Sequence, residues 1–177
     1  MARIPYADLS NPEIRPLADR IVAERGSVLH LYQMLLHSPP VATGWLSYLT
    51  AIRHLSGLPG AMRELVIMRV AILNGAPYEA EQHAPIALKE GMTQAQLDAH
   101  DNWESSDCFD AQARAVLAYT DAMTRDVHVP KEIFDAVSAS LTPRLLVELT
   151  ATIAAYNMVS RFLEALQIPS SDPVPAS

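Results

Sequence analysis

The sequence around Asn74-Gly75-Ala76-Pro77 predicts two buried helices that meet at a tight corner. The first, residues 61–73, is mostly apolar yet carries an acid, Glu64. The second, residues 78–89, begins with acidic side chains and includes His83. Burying a carboxylate in so apolar a helix is costly unless another group pairs with it or uses it. Histidine is the side chain best suited to move a proton near neutral pH, so this pair is the first candidate for chemistry.

The rest of the chain also predicts helices. They are expected at residues 11–25, 28–37, 41–55 and 109–124, with a last long helix opened by Pro143 and running to residue 166, and with shorter ones opened by Thr93 and Pro130. Residues 101–107 are polar and predict a loop. No segment shows the alternation of a half-buried strand. We therefore expect an all-α helical bundle of about seven to nine helices in one domain, residues 1–168, followed by a flexible proline-rich tail, residues 169–177.

The composition of the chain limits the kinds of molecule that it can be expected to bind. The net charge is −7, and the only lysines are Lys89 and Lys131. Phosphate binding depends on clustered Lys and Arg, so no nucleic-acid partner is expected. The sequence has no run of about eighteen apolar residues and no apolar segment near its start, so neither a membrane span nor a signal peptide is expected. A cytoplasmic location is the expectation.

Two segments are too apolar for surface helices: the central pair, and residues 145–166. Either a deep core or a contact between copies of the chain can bury the surplus apolar face. We favour the second, a homo-oligomer.

The residues of the central block, positions 63–91, also resemble the pattern of a known protein family. They are the run Arg63-Glu64-Leu65-Val66-Ile67-x-Arg69-Val70-Ala71, followed by Gly75, Tyr78-Glu79, His83, Ala87 and Gly91. Weaker support comes from His37-Ser38-Pro39 and from Val147-Glu148-Leu149 leading to Tyr156. This pattern resembles the carboxymuconolactone decarboxylase family, which includes the AhpD alkyl hydroperoxidase proteins. The resemblance implies an all-helical homo-oligomer, a trimer or hexamer, with sites near subunit contacts.

The thiol-using members of that family combine a glutamate, a CxxC pair and a histidine in a proton relay. The resemblance places the glutamate at Glu64 and the histidine at His83, and the cysteine positions at Ala76 and Glu79. The chain therefore resembles a branch without the CxxC pair. Its one cysteine, Cys108, lies in another segment. Dithiol peroxidase chemistry is not expected, since neither alanine nor a carboxylate can be oxidised by peroxide and then reduced again.

The hairpin spacing leaves the geometry of the acid and the imidazole open. Glu64 and His83 lie roughly 15 and 9 Å along their helices from the corner. In a strictly antiparallel pair they would not touch, so a crossed packing angle, a water or a substrate has to close the gap. Glu79, four residues before His83, can accept a hydrogen bond from the imidazole and fix its tautomer.

The hypothesis is a cofactor-free, decarboxylase-like lyase acting on a small lactone or keto acid. His83 is its general acid or base, Glu64 the relay partner and Glu79 the orienting group. Substrate contacts are assigned to Tyr78, Arg69, Trp45 and Tyr156, and Arg69 and Arg161 are the candidates to converge on a substrate carboxylate.

Each of these residues also has a structural interpretation, as an internal ion pair, a core histidine or a core aromatic. Glu64, Glu79 and His83 can imitate a two-carboxylate, one-histidine metal site, but no HExxH or ExxH pattern supports one, and no metal is expected. The alternatives to the decarboxylase are an AhpD-like antioxidant protein that has lost its thiols, and a non-catalytic oligomeric binding or scaffold protein.

Overall fold

Nine α-helices, a π-helical turn and a 3₁₀ helix make up the described part of the chain, residues 1–172, in a computed structural model. The α-helices are α1 (Arg15–Arg25), α2 (His30–Leu35), α3 (Pro39–Thr50), α4 (Gly60–Leu73), α5 (Pro77–Lys89), α6 (Gln94–Asp98), α7 (Ala111–Arg125), α8 (Lys131–Ser138) and α9 (Pro143–Leu166). The π-helical turn spans Ala51–Leu55, and the 3₁₀ helix spans His100–Ser105. Within residues 1–172 there is no strand, which confirms the all-α prediction.

Helix α4 lies at the centre of the bundle, packed against α5, α7 and α9. Its residues 64–71 are all buried, including Glu64 and Arg69. An apolar helix surrounded on several sides needs no polar face, which explains why its sequence shows none. Helix α9, which packs against α4, contributes large buried side chains to the core, among them Ile153, Tyr156 and Leu163.

Local signals set the ends of several helices. Proline occupies the first turn of α1, α3, α5 and α9, where its missing N–H costs no hydrogen bond. The predicted capping box at Thr93 forms, since the Thr93 side chain accepts a hydrogen bond from the Gln96 amide and the Gln96 side chain accepts one from the Thr93 amide. Gly75 has a φ of 61° at the corner between α4 and α5, a conformation that favours glycine.

Several predicted boundaries differ from the structure: α2 is shorter than the predicted 28–37, and α7 begins two residues after the predicted 109. Helix α1 begins at Arg15, after turns near Asn11, and not at residue 11. Residues 101–107, predicted as a loop, lie largely within the 3₁₀ helix. The predicted helix 41–55 starts at Pro39 and becomes π-helical after Thr50. A π-turn adds a residue to the helical repeat and leaves no trace in an apolar pattern, so the sequence could not reveal it.

The end of the chain is only partly described. Asp172 accepts hydrogen bonds from the Tyr6 hydroxyl at 2.8 Å and the Ala2 amide at 3.1 Å. The remaining residues of the predicted tail, 173–177, lie outside the described residues. Within residues 1–172, none of the helices combines the length and the apolar character needed to cross a membrane.

Candidate active site

The side chains of Glu64 and His83 are in direct contact. Helix α4 supplies the carboxylate and α5 the imidazole, and Glu64 Oε2 lies 2.7 Å from His83 Nδ1. The other carboxylate oxygen, Oε1, accepts a hydrogen bond from Nε of Arg63 at 3.1 Å. Arg63 in turn pairs with Glu90 at 3.3 Å, which fixes its guanidinium. Both oxygens of Glu64 are therefore held, and the acid presents one of them to the histidine.

Burial and the contact between the two side chains together determine the pKa values of Glu64 and His83. Burial alone would raise the pKa of Glu64, but the hydrogen bonds from His83 and Arg63 and the positive charge of Arg63, joined by that of His83 when it is protonated, outweigh burial and lower that pKa. Burial lowers the pKa of His83, and Glu64 only partly offsets this. The resulting state is an ionised Glu64 that accepts a hydrogen bond from the Nδ1–H of an uncharged imidazole. This tautomer leaves a lone pair on Nε2, which makes no hydrogen bond to residues 1–172.

Glu79 does not orient His83, contrary to the prediction. Its Oε2 lies 2.8 Å from the hydroxyl of Ser160 on α9, and its Oε1 is buried without a hydrogen-bond partner in the described structure. The i, i+4 spacing brings Glu79 and His83 to the same side of α5, but the long-range contact with Ser160 determines where the carboxyl group points. The orienting role belongs to Glu64.

Glu79 is uncharged at neutral pH. Burial raises its pKa to about 8, against the hydrogen bond from Ser160, which lowers it. The hydrogen bonds agree with this charge state. Ser160 has one hydroxyl proton and two neighbouring oxygens, Glu79 Oε2 at 2.8 Å and the Tyr156 carbonyl at 3.0 Å. The Ser160 hydroxyl donates to Glu79 Oε2, so the proton of an uncharged Glu79 lies on its other oxygen, Oε1.

A cavity lies beside these groups. It has a volume of about 60 Å³ for the centres of water molecules and is partly open to solvent. Since one water needs roughly 10–15 Å³ on this measure, the space suits a few waters or a small molecule. Among the predicted site residues, His83, Glu79, Tyr78, Trp45 and Tyr156 line it. Glu64 does not, and it acts on the cavity only through His83.

Three aromatic residues, Trp45, Tyr78 and Tyr156, line the cavity. The indole Nε1 of Trp45 is buried and has no hydrogen-bond partner in the described structure, which is unusual for a buried donor. Tyr156 packs edge-on to the His83 ring at a centroid distance of 5.0 Å. Burial raises the pKa of Tyr78 to about 12 and also raises that of Tyr156, so both hydroxyls keep their protons at neutral pH.

Arg69 lies away from the cavity, so its predicted role in substrate binding is wrong. Its guanidinium makes two hydrogen bonds to Asp121, at 2.6 and 2.7 Å, and one to the backbone carbonyl of His100 at 2.6 Å. All of these groups belong to the contact of α4 with α7 and the 3₁₀ helix. Arg161, the other predicted carboxylate ligand, is exposed and bound to Asn157.

The structure identifies cavity residues that the sequence did not suggest. Arg53 from the π-helical turn, Arg25 from α1 and Gln82 from α5 all line the cavity. Arg25 is bound to Thr50 Oγ1 at 2.7 Å. Nothing in the amino-acid pattern singled out Arg53, because it lies near the end of a predicted amphipathic helix, where a surface arginine is ordinary.

Thiol and metal sites are not found in this part of the fold. Ala76, at the N-terminus of α5, and Glu79 stand where the resemblance places the two cysteines of the thiol-using proteins. Cys108 is exposed and does not line the cavity. Residues 1–172 contain no group of three or more His, Cys, Asp or Glu side chains placed to hold a metal ion. Glu64 and Glu79 point to different partners and so do not converge with His83 on one point.

Comparison with known proteins agrees with this fold. Residues 39–122 match the carboxymuconolactone decarboxylase family. This stretch runs from α3 to α7 and contains Glu64, Glu79 and His83. Among functionally curated proteins, none matches the sequence.

Several solved structures share the architecture. An uncharacterised peroxidase-related protein with an alkylhydroperoxidase AhpD core, from Ralstonia eutropha JMP134, has a TM-score of 0.81 at 20% identity, covering 97% of this chain and 93% of its own. A cysteine variant of the debrominase Bmp8, in complex with 2,3,4-tribromopyrrole, has a TM-score of 0.79 at 19% identity, covering 94% and 92%. A protein of unknown function from Agrobacterium tumefaciens, described in connection with AhpD antioxidant defence, has a TM-score of 0.71 at 23% identity, covering 78% and 94%. At these identities the likeness shows the AhpD-like fold.

Proposed function

Because the chain belongs, through residues 39–122, to the carboxymuconolactone decarboxylase family, we propose that it is a cofactor-free enzyme that transfers a proton at a carbon next to a carbonyl group. Its substrate is a small lactone or keto acid, and its expected reaction is loss of carbon dioxide from a carboxylated lactone. The observation that carries the proposal is the buried hydrogen bond between Glu64 and His83, 2.7 Å long, in a histidine that lines a cavity and whose other ring nitrogen makes no hydrogen bond within residues 1–172.

His83 exchanges the proton with the substrate. In the uncharged state its Nε2 can remove a proton next to a carbonyl. In decarboxylation, the bond to the carboxylate carbon breaks, carbon dioxide leaves, and the electron pair moves into the conjugated carbonyl to form an enolate. His83, uncharged at rest, takes a proton from water at Nε2, and the resulting imidazolium gives that proton to carbon, while the hydroxide left behind combines with carbon dioxide as bicarbonate. In both directions Glu64 stabilises the imidazolium through Nδ1–H.

Glu79 stabilises the oxygen on which negative charge accumulates. A carboxylic acid that stays uncharged near pH 7 can donate a hydrogen bond to an enolate, and an ionised one would repel it. The raised pKa of Glu79, about 8, its place in the cavity lining, and a buried Oε1 that has no hydrogen-bond partner within residues 1–172 support this role. Trp45 lines the same cavity, and its buried indole N–H, which has no partner within residues 1–172, is the candidate for a second donor.

The cavity itself supports a small ring substrate. Trp45, Tyr78 and Tyr156 supply flat apolar surface, and the volume of about 60 Å³ excludes bulky compounds. The debrominase Bmp8, which shares the fold, was crystallised with a small heteroaromatic ring. A reaction through a cysteine nucleophile finds no support, because Cys108 is exposed and lies outside this cavity.

The test combines turnover and isotope exchange. A panel of carboxylated lactones and keto acids is incubated in D₂O, and carbon dioxide release and deuterium at the substrate carbon are measured. We expect both with the native protein, and their loss in His83→Ala and Glu64→Gln variants that keep the native circular dichroism spectrum. Full turnover in either folded variant would exclude the proposed roles.

One observation favours a second candidate, a non-catalytic binding or scaffold protein. Both oxygens of Glu64 are bound within the protein, and the Arg63–Glu64–His83 chain holds α4 and α5 together as a structural pair would. The absence of deuterium exchange over the whole panel, together with a large loss of stability in Glu64→Gln, would support this reading over the enzyme.

We also propose a homo-oligomer, a trimer or hexamer. Helix α9 exposes Val147 and Met158, and Leu55 of the π-helical turn is largely exposed as well. Exposed apolar side chains on a helix that otherwise packs in the core fit a contact between copies. Light scattering coupled to size exclusion measures the mass directly, and a monomer at micromolar concentration contradicts the proposal.

A further inference from the structure

Arg53 has no partner within the described structure. It is half-buried and lines the cavity with His83, Glu79 and Trp45, yet it makes no hydrogen bond or ion pair with residues 1–172. Every other arginine of the chain binds a carboxylate, an amide, a hydroxyl or a backbone carbonyl. A partly desolvated guanidinium without an acceptor is costly, and its position at a cavity points to an acceptor that is not part of the chain.

The backbone around Arg53 is also unusual. The residue is the centre of the π-helical turn Ala51–Leu55, which continues α3. Ile52 beside it is buried and Leu55 is largely exposed. The extra residue in a π-turn rotates the following side chains relative to an α-helix, and such turns are frequent at functional sites. Here the turn places a cation at the cavity wall.

The charges around the cavity favour an anion. Two arginines, Arg25 and Arg53, line the cavity, and Arg25 is already bound to Thr50 and Tyr32. The acid and the imidazole that line it, Glu79 and His83, are both uncharged near neutral pH, as described above. The groups facing the cavity therefore sum to a positive charge, with Arg53 as its unpaired member.

We propose that Arg53 binds the carboxylate of the substrate, so that the site selects small carboxylate-bearing lactones or keto acids over their neutral analogues. This inference rests on the proposed function for the identity of the ring, but the preference for a carboxylate depends only on Arg53 and the cavity. A guanidinium presents two parallel N–H donors that match the two oxygens of a carboxylate. Arg53 is then a specificity-determining residue, distinct from the proton-transfer groups.

A binding experiment tests this without requiring turnover. The probes are 5-oxotetrahydrofuran-3-carboxylate and the corresponding carboxamide, which differ in charge and hardly in size. Calorimetry or ligand-observed NMR gives the affinity of each for the native protein and for Arg53→Gln, Arg53→Lys and Arg15→Gln. Arg15 is the matched control, because it is exposed on α1 and paired with Asp19, away from this cavity.

The native protein is expected to prefer the carboxylate by about 10- to 100-fold, as for a hydrogen bond between charged groups. Arg53→Gln removes most of this preference, Arg53→Lys keeps part of it, and Arg15→Gln leaves it unchanged. An equal affinity for both probes in the native protein, no binding of either, or an undiminished preference in Arg53→Gln overturns the inference.

Two further results separate this inference from the proposed function and from an interface role. Carboxylate binding that depends on Arg53, without turnover of any substrate, leaves the inference standing and removes the enzyme proposal. Turnover that is unchanged in Arg53→Gln removes this inference and leaves the enzyme proposal standing. If Arg53→Gln changes the oligomeric mass and not the probe preference, the acceptor is a carboxylate of a second copy and the inference is wrong.

Discussion

The carboxylate of Glu64 lies 2.7 Å from Nδ1 of His83, although Glu64 itself does not reach the cavity that His83 lines. This arrangement separates two tasks. The acid, locked by Arg63, sets the tautomer of the histidine, and the histidine alone faces a ligand. Because of this arrangement, the role of Glu64 can be tested through the tautomer of His83 as well as through the reaction rate.

Replacing Glu64 by Gln is expected to lower kcat by about 10²- to 10⁴-fold, the range of general acid–base contributions. The amide cannot stabilise the imidazolium, and it no longer fixes the proton on Nδ1. Nitrogen-15 chemical shifts of His83 report the tautomer, and steady-state kinetics report the rate. Glu90→Gln is the control, because Glu90 also pairs with Arg63 but does not contact His83. Equal effects of the two changes would contradict the role given to Glu64.

The activity is expected to fall at alkaline pH with an apparent pKa of about 8, as Glu79 loses its proton. Below that pH Glu79 donates a hydrogen bond to the developing enolate, and above it the carboxylate repels the same charge. The variant Glu79→Gln keeps an N–H donor that does not titrate, so its rate is lower but the alkaline fall near pH 8 disappears. A pH profile of kcat for both proteins checks this. The prediction fails if the fall persists in the variant.

Glu79 should also make the protein less stable as pH rises. Its pKa is raised in the folded state from 4.5 to about 8, so between these values the unfolded chain has released a proton that the folded chain still holds. The stability that Glu79 contributes is complete below pH 4.5 and is lost as pH rises to about 8. At about 1.4 kcal/mol per pKa unit, the loss is roughly 3–5 kcal/mol.

Urea unfolding at fixed protein concentration measures this effect. Native protein and Glu79→Gln are compared at pH 5.0, 6.5 and 8.5, with the exposed Glu13→Gln as the control. The stability of Glu79→Gln relative to native should increase with pH across the series. A constant difference between the two proteins would show that Glu79 keeps an ordinary pKa in the fold.

The sequence predicted the helices and the identity of the central pair, but not the contacts between distant segments. Apolar periodicity located α4 and α5 to within a residue, since that signal is local. It could not give the angle at which they cross, so the direct contact of Glu64 with His83 was only one of three options. Glu79 was misassigned because its partner, Ser160, comes from a helix 81 residues later in the chain.

Two arginines show why a ligand contact could not be predicted from the sequence: Arg69 was predicted to bind substrate and does not line the cavity, whereas Arg53 was not singled out and does line it. Arg69 lies inside the family-like block and so suggested a ligand contact, but its acceptor Asp121 is 52 residues away. Arg53 belongs to a π-turn that apolar periodicity cannot detect, so no feature of the sequence set it apart. Whether a charged side chain is free for a ligand depends on which distant groups satisfy it, and this is a property of the packed structure.

The corrected role of Arg69 gives the last prediction. Replacing Arg69 by Met leaves Asp121 without its two hydrogen bonds from Arg69 at a buried site, so the protein should lose about 3–5 kcal/mol of stability. Folded protein should keep its KM, because Arg69 does not line the cavity. The control Arg144→Met breaks an exposed pair with Glu148 and should cost at most about 1 kcal/mol. Denaturant unfolding and steady-state kinetics measure both quantities. A raised KM with unchanged stability in Arg69→Met would restore the original assignment of Arg69 to substrate binding.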